Sequence, residues 1–315
     1  ITAVSTGGTV SYCYNTGALS SATNYAAGIC AFAEEGTTLS SCYNTMAIKG
    51  SITTRGIVAK ISDSTVNHCF YDKNTITNGT SSTMICGKNT ETMQTKGFVC
   101  LINHGNGYFA LDNENMNNGY PVLSNSSLTI YFDDIAINAW YADYIYDIAA
   151  ENIIKGKESH RYAPNDTVTR AEYTLMLART SGEDLSSYAN QMSFSDVATD
   201  QWYTAAIAWA YDNGIVNGIG NHLFAPNAQI SREEIAAITI RFVEYMKSSD
   251  LSAETEAAFT DAETISDWAK ESVAIMAEQG ILTGFPNGSF APKEQATRAQ
   301  AATIIDKVLN VYFSY

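Results

Sequence analysis

Thr169-Arg170-Ala171-Glu172 opens a helical run, and the pattern returns as Ser231-Arg232-Glu233-Glu234 and Thr297-Arg298-Ala299-Gln300. A hydroxyl residue three places before an acid or its amide, just ahead of an apolar stretch, is a capping box. The hydroxyl accepts from the backbone N–H three residues on, and the longer side chain reaches back. Capping accounts for the first and fourth positions and leaves the arginine without a reason. A cation in the first helical turn opposes the macrodipole by roughly 0.3–1 kcal/mol, so an anion is expected beside each one.

The spacing around the boxes is rigid. Pro164, Pro226 and Pro292 each stand six residues before the arginine, and Gly156, Gly218 and Gly284 each stand eight before the proline. Further upstream come Trp140, Trp202 and Trp268, and before them Phe132-x-Asp134, Phe194-x-Asp196 and Phe259-x-Asp261. Three units at a spacing of roughly 60 residues are an internal repeat. The joint pattern resembles the S-layer homology domain: Phe-x-Asp, Trp, a glycine-bounded apolar turn, Phe-x-Pro and Thr-Arg-Ala-Glu. Its departures are Ser-Arg-Glu-Glu in the second copy, Gln300 in the third, and Asn152 where the other copies have Gly214 and Gly280.

Each unit also reads as two amphipathic helices. The first begins at the tryptophan, with apolar residues such as Tyr144, Ile145 and Ile148 at helical spacing, and the second follows the box, with Tyr173, Met176 and Leu177. On this reading the tryptophans belong to the core, the alternative being platforms for a ligand. His160, His222 and Gly288 occupy one turn position, which is expected to demand a positive φ and not to bind metal. One unit is too small for a core of its own. The resemblance implies that the three close into a pseudo-threefold all-α bundle, with repeats at residues 130–187, 192–250 and 257–315.

The first 124 residues differ. They are rich in Gly, Thr, Ser, Asn and Tyr, and Cys13-Tyr14-Asn15-Thr16 returns as Cys42-Tyr43-Asn44-Thr45 and, altered, as Cys69-Phe70-Tyr71-Asp72. Gly28-Ile29 and Gly56-Ile57 keep the same period. Short strands repeating in this way suggest a β-solenoid, in which each coil buries its apolar face on the next. Equivalent cysteines then stack as free buried thiols and equivalent asparagines as an amide ladder. These repeats resemble the GLUG repeats of bacterial surface proteins. A short helix from Thr90 to Asn103, interrupted at Gly97, and a closing strand ending at Leu123 are expected to cap the coil, with a linker over residues 124–128.

Composition narrows the function. No run of 18 apolar residues marks a membrane span. Residues 1–130 carry 7 acids and 6 bases, whereas residues 131–315 carry 26 and 12. So acidic a half lacks the basic footprint of nucleic-acid recognition. The absence of Met at Ile1 suggests a mature product or a fragment. All six cysteines lie within the first 100 residues without a Cys-x-x-Cys pair, so neither a metal site nor a redox motif is expected, and no cofactor.

An arginine at a helix start joins a guanidinium fork to exposed backbone N–H groups, a site suited to a carboxylate. The resemblance implies non-covalent anchoring to a secondary cell-wall polysaccharide whose ketal-linked pyruvate supplies that carboxylate, on the outside of a bacterium. Arg170, Arg232 and Arg298 are the expected carriers, free of any duty in the fold. Gly156, Gly218 and Gly284, with Asp134, Asp196 and Asp261, are further candidate glycan contacts. The β-solenoid is then an adhesin or spacer, possessing no catalytic residues. The alternative is a tethered polysaccharide-degrading enzyme, against which stands the lack of any regular placement among Glu34, Glu35, Asp63, Asp72, Glu91, Asp112 and Glu114.

Overall fold

The computed structural model describes residues 1–21, 25–49, 53–76, 85–104, 107–124, 132–136, 139–158, 160–191 and 194–313. The chain forms two compact units, one chiefly Ile1–Glu151 and the other chiefly Tyr162–Tyr312 with Asn152–Lys157. The first is β-rich and the second helical. Most of the expected linker, residues 125–128, lies outside the described residues.

Short parallel strands build the first unit. In one sheet β1 (Thr2–Thr6), β6 (Cys30–Glu34) and β10 (Val58–Ile61) lie side by side, with Thr2 opposite Cys30 and Cys30 opposite Val58. In another, β2 (Thr9–Ser11) and β3 (Tyr14–Asn15) pair with β7 (Thr38–Asn44), which pairs with β11 (Thr65–Asp72) and through it with β12 (Ile85–Lys88). β4 (Leu19–Ser20) pairs with β8 (Ile48–Lys49), and β5 (Tyr25–Ala27) with β9 (Thr53–Arg55). Apart from the β11–β12 pair, partners are one sequence repeat apart, so equivalent positions meet.

The expected ladders form. Cys42 lies opposite Cys69, Tyr14 stacks on Tyr43 with ring centroids 5.1 Å apart, and Asn15 donates to Asn44 at 2.7 Å. All six cysteines are free thiols. Tyr71 faces Asn44 in the third row and ends the amide ladder. Glycine is required beside it, because a Cβ on Gly28 would lie 2.4 Å from the Asn44 side chain and one on Gly56 2.5 Å from Tyr71. Tyr12, Ser41 and His68, one per row, hold φ of 49–51°, a left-handed corner repeated along the unit.

α1 (Thr90–Met93) and α2 (Lys96–Asn103) follow, and β13 (Phe109–Ala110) pairs antiparallel with β14 (Val122–Leu123). The helical stretch breaks at Gln94 and Thr95, not at Gly97, which lies within α2. A Cβ there would meet the backbone of Ala150 at 2.7 Å, so this glycine lets two helices touch. The second is α3 (Ala142–Ala150), the first helix of the first repeat, which belongs to this unit. Phe98, Ile102, Tyr43, Phe70 and Ala150 share one apolar cluster.

The second unit contains α4 (Arg170–Ser181), α5 (Thr204–Asp212), α6 (Arg232–Lys247), α7 (Asp267–Glu278) and α8 (Arg298–Tyr312). The predicted pair of helices per repeat is present. One expectation fails: Trp140, Trp202 and Trp268 are 61%, 58% and 54% exposed, not core. Each stands at or just before its helix start, and the inward stripe is carried by residues such as Ile145, Ile207 and Val273. The buried indole is that of Trp209.

One polar contact in the first unit is fully enclosed. Lys88, 2% exposed, places its ammonium 2.6 Å from Asp147 and 3.8 Å from Glu151 of the α3 turn. Removing one partner of a buried pair strands the other charge, at a cost of about 3–5 kcal/mol. Lys88→Ala should therefore lower stability by that amount in urea denaturation of the whole chain. A loss below about 1 kcal/mol would show that the carboxylates reach water or take up protons without it.

Candidate functional site

Each box helix begins as the capping pattern dictates. Thr169 accepts from Glu172 N at 3.2 Å while Glu172 accepts from Thr169 N at 2.8 Å. Ser231 with Glu234 repeats this at 3.3 and 2.8 Å, and Thr297 with Gln300 at 3.3 and 3.1 Å. The first two helical N–H groups, expected to be exposed, are taken by the chain itself. Arg170 and Ala171 donate to the carbonyls of Ala228 and Pro226, Arg232 and Glu233 to those of Glu294 and Pro292, and Arg298 and Ala299 to those of Asp166 and Pro164. A further cycle runs from Val168 N to Ala296 O, from Ala296 N to Ile230 O and from Ile230 N to Val168 O. The helix starts thus bind one another in rotation and leave no open anion site of backbone N–H groups.

The arginines follow the same rotation. Arg170 donates to Phe224 O at 2.9 Å, Asn217 O at 3.0 Å and Glu234 Oε1 at 2.7 Å, with its guanidinium 4.7 Å above the Phe224 ring. Arg298 donates to Tyr162 O at 2.9 Å, Lys155 O at 3.1 Å and Glu172 Oε1 at 3.2 Å, above the Tyr162 ring. The anion that the sequence demanded beside these two is the box glutamate of the next repeat. Both side chains are buried, so the expectation that they stand free of the fold is corrected.

Arg232 differs. The next box offers Gln300, whose Oε1 accepts from Thr297 N. Arg232 donates to Phe290 O at 2.7 Å, has its guanidinium over the Phe285 and Phe290 rings at 4.7 and 5.0 Å, and has no carboxylate hydrogen bond among the described residues. Burial lowers its pKa, only partly offset by Glu294 and Asp261.

The other sequence candidates serve the turns. Asp196 accepts from Phe224 N and Ala225 N at 2.8 and 2.7 Å, and Asp261 from Phe290 N and Ala291 N at 2.7 Å each. These clamps hold Ala225 and Ala291 at φ of 58° and 54°, where alanine is strained. Ala163 shares that conformation at 60°. A Cβ on Gly218 would lie 2.7 Å from Leu223 O and from the Phe194 ring, and one on Gly284 2.7 Å from Ser289 O. These two glycines admit the protein's own backbone and aromatic rings. Gly156 and Asp134 are half-buried. His160, His222 and Gly288 have φ of 64°, 56° and 82°, as expected, and Asn152 at 58° matches Gly214 at 70° and Gly280 at 68°.

Beside the Arg170–Glu234 pair is a groove of 260 Å³, lined by Arg170, Asn217, Gly218, Ile219, Glu234, Ala237, Ile238, Arg241 and Trp268. Arg170 and Gly218 were visible in the sequence; Arg241 and Trp268 were not assigned to it. Yet a signal existed. Arg179, Arg241 and Lys307 each stand nine residues after their box arginine. Arg179 donates to Ile153 O at 3.3 Å, and Lys307 to Gly280 O and Ile281 O at 3.1 and 3.3 Å. Arg241 makes no hydrogen bond to protein among the described residues. Burial lowers its pKa, opposed by the charge of Glu244. A half-buried guanidinium beside an exposed indole and Ile219 offers a fork for a carboxylate and apolar surface for a sugar ring.

Residues 131–174, 193–236 and 258–302 match the S-layer homology domain family. The chain is 44% identical over 177 residues to an amylopullulanase of Thermoanaerobacterium thermosulfurigenes, covering 55% of this chain and 9% of that protein. It is 31% identical over 176 residues to an S-layer protein of Bacillus thuringiensis subsp. finitimus, covering 56% and 21%. A surface-layer 125 kDa protein of Lysinibacillus sphaericus is 30% identical over 192 residues, covering 60% and 15%. The chain thus spans about a fifth or less of the length of these relatives. The enzyme-named relatives share only the repeat region.

The arginine relay predicts unequal stability effects. Arg170→Ala and Arg298→Ala should each cost about 2–4 kcal/mol, since a charge-assisted contact and two carbonyl hydrogen bonds are lost. Gln300→Glu should add up to about 1 kcal/mol by giving Arg232 its missing carboxylate. Urea denaturation checks both. Equal effects for all three arginines, or a destabilised Gln300→Glu, would contradict the asymmetry.

Proposed function

Because this chain carries three S-layer homology domains, and is therefore a bacterial cell-surface protein associated with the cell wall, we propose that its helical repeats hold it non-covalently to an anionic secondary cell-wall polysaccharide. The ligand group is the carboxylate of ketal-linked pyruvate. The observation that carries this reading is Arg241: its two counterparts are tied to carbonyls, whereas it lines a groove together with Ile219 and Trp268. Arg232, with no internal carboxylate, is the second binding cation. Arg170 and Arg298 act chiefly by closing the repeats on one another. The rotation of hydrogen bonds among the three box starts supports a pseudo-threefold bundle, with the grooves unequal.

The β-rich unit is, on this proposal, a β-solenoid serving as adhesin or spacer. Parallel pairing of one repeat on the next supports it. Two of its acids are committed to structure: Asp72 to Asn74 N, Thr90 and Tyr120, and Asp112 to the N–H groups of Met116, Asn117 and Gly119. That argues against their use as a catalytic pair.

Binding of a soluble pyruvylated wall fragment, measured by calorimetry on the whole chain, tests the groove without the avidity of intact sacculi. Loss of one charge-assisted contact is worth about 1.5–3 kcal/mol, so Arg241→Ala should weaken its groove roughly 10- to 100-fold. Trp268→Ala should weaken it as well, with circular dichroism unchanged. Fragments stripped of pyruvate should bind the native chain no better than intact fragments bind the Arg241→Ala, Arg232→Ala double variant. Undiminished binding by a folded double variant would refute the assignment.

A further inference from the structure

Two histidines and an aspartate meet in the first unit, from three elements far apart in sequence. His68 is a corner residue of β11, His104 ends α2 and Asp143 lies in the first turn of α3. His68 Nε2 is 3.0 Å from Asp143 Oδ2, His104 Nδ1 is 2.9 Å from Asp143 Oδ1, and the imidazole rings stack with centroids 3.9 Å apart. All three donor atoms lie within 4.8 Å of one another. We propose that His68, His104 and Asp143 form a binding site for a divalent transition-metal ion of the zinc type, which ties β11, α2 and α3 together.

The donor set argues for that class. Two imidazoles and one carboxylate suit Zn²⁺ and its neighbours, whereas Ca²⁺ and Mg²⁺ seek oxygen alone. Zinc at ~2.0–2.2 Å from each donor places tetrahedral ligands about 3.3 Å apart, close to the 3.0 and 2.9 Å at which the two carboxylate oxygens of Asp143 already meet His68 and His104. Three protein ligands leave a fourth position for water. The side chains are reachable, His68 being 24% and His104 47% exposed.

His68 has φ of 49° and His104 of 41°, a region that non-glycine residues seldom adopt. The corner equivalent to His68 holds Tyr12 and Ser41 in the earlier rows, so a ligating residue stands only in the row beside α2 and α3. Binding needs both facing nitrogens deprotonated, so each ring must carry its hydrogen on the other nitrogen.

Nothing in the sequence pattern reveals the site, because its members are separated by 36 and 39 residues and obey no ligand spacing. It is independent of the groove at Arg241.

The test is a titration of the whole, chelator-treated chain at pH 7.5 with ZnCl₂ by calorimetry, and with Co²⁺ by visible absorption. One ion per chain should bind, with Co²⁺ d–d bands and no thiolate charge-transfer band, which separates the site from the six cysteines. His68→Ala, His104→Ala and Asp143→Asn should each weaken binding at least about 10-fold, the scale for losing even a supporting partner of a ligand. Zinc should raise the thermal midpoint of the native chain and leave that of the His68→Ala, His104→Ala variant unmoved. Circular dichroism of that variant without metal should match the native chain. Absence of saturable binding, a thiolate band, or equal affinity in the folded double variant would overturn the proposal.

Discussion

A buried guanidinium has to have its donors taken and its charge met, and this requirement organises the helical repeats. Arg170 and Arg298 satisfy it by reaching out of their own repeats to the carbonyls and box glutamate of the next. The glutamate involved is already committed to its own helix cap. One carboxylate oxygen of Glu172 serves Thr169 N while the other serves Arg298. Capping and assembly are therefore one network, and removing the neighbouring repeat would take from Arg170 or Arg298 a carboxylate, two carbonyl acceptors and an aromatic stacking surface together. The unfavourable placement of a cation at a helix start is offset because the charge is turned toward another repeat.

The place where this network breaks is also informative. With Gln300 in the third box, Arg232 keeps its aromatic contacts but not its carboxylate. The same asymmetry appears nine residues downstream, where Arg179 and Lys307 fold back on carbonyls and Arg241 does not. A repeat whose internal pairings are incomplete has cationic capacity left for an external anion.

The β-rich unit obeys a different constraint. Parallel rows placed one repeat apart bring identical side chains face to face, which favours stacked tyrosines, amide pairs and small thiols and excludes any side chain at Gly28 or Gly56. Where the rows end, the pattern is replaced by specific contacts with helices: Gly97 against Ala150, Lys88 against Asp147 and the His68–His104–Asp143 cluster.

The sequence by itself determined the repeats, the caps, the positive-φ turns at His160 and His222, the ladder of Cys and Asn, and the presence of a lone cation in each box. All of these are local or periodic, and spacing records them. Only the tertiary structure decided what each cation meets, because Glu234 and Glu172 are 64 and 126 residues from their arginines. It likewise put the tryptophans at the surface, since a residue at or just before a helix start need not follow the helical stripe. It assigned Asp196 and Asp261 to turns, and it gathered His68, His104 and Asp143 from three elements. Pairing across such separations is set by how the elements pack, and no local propensity or period carries that information.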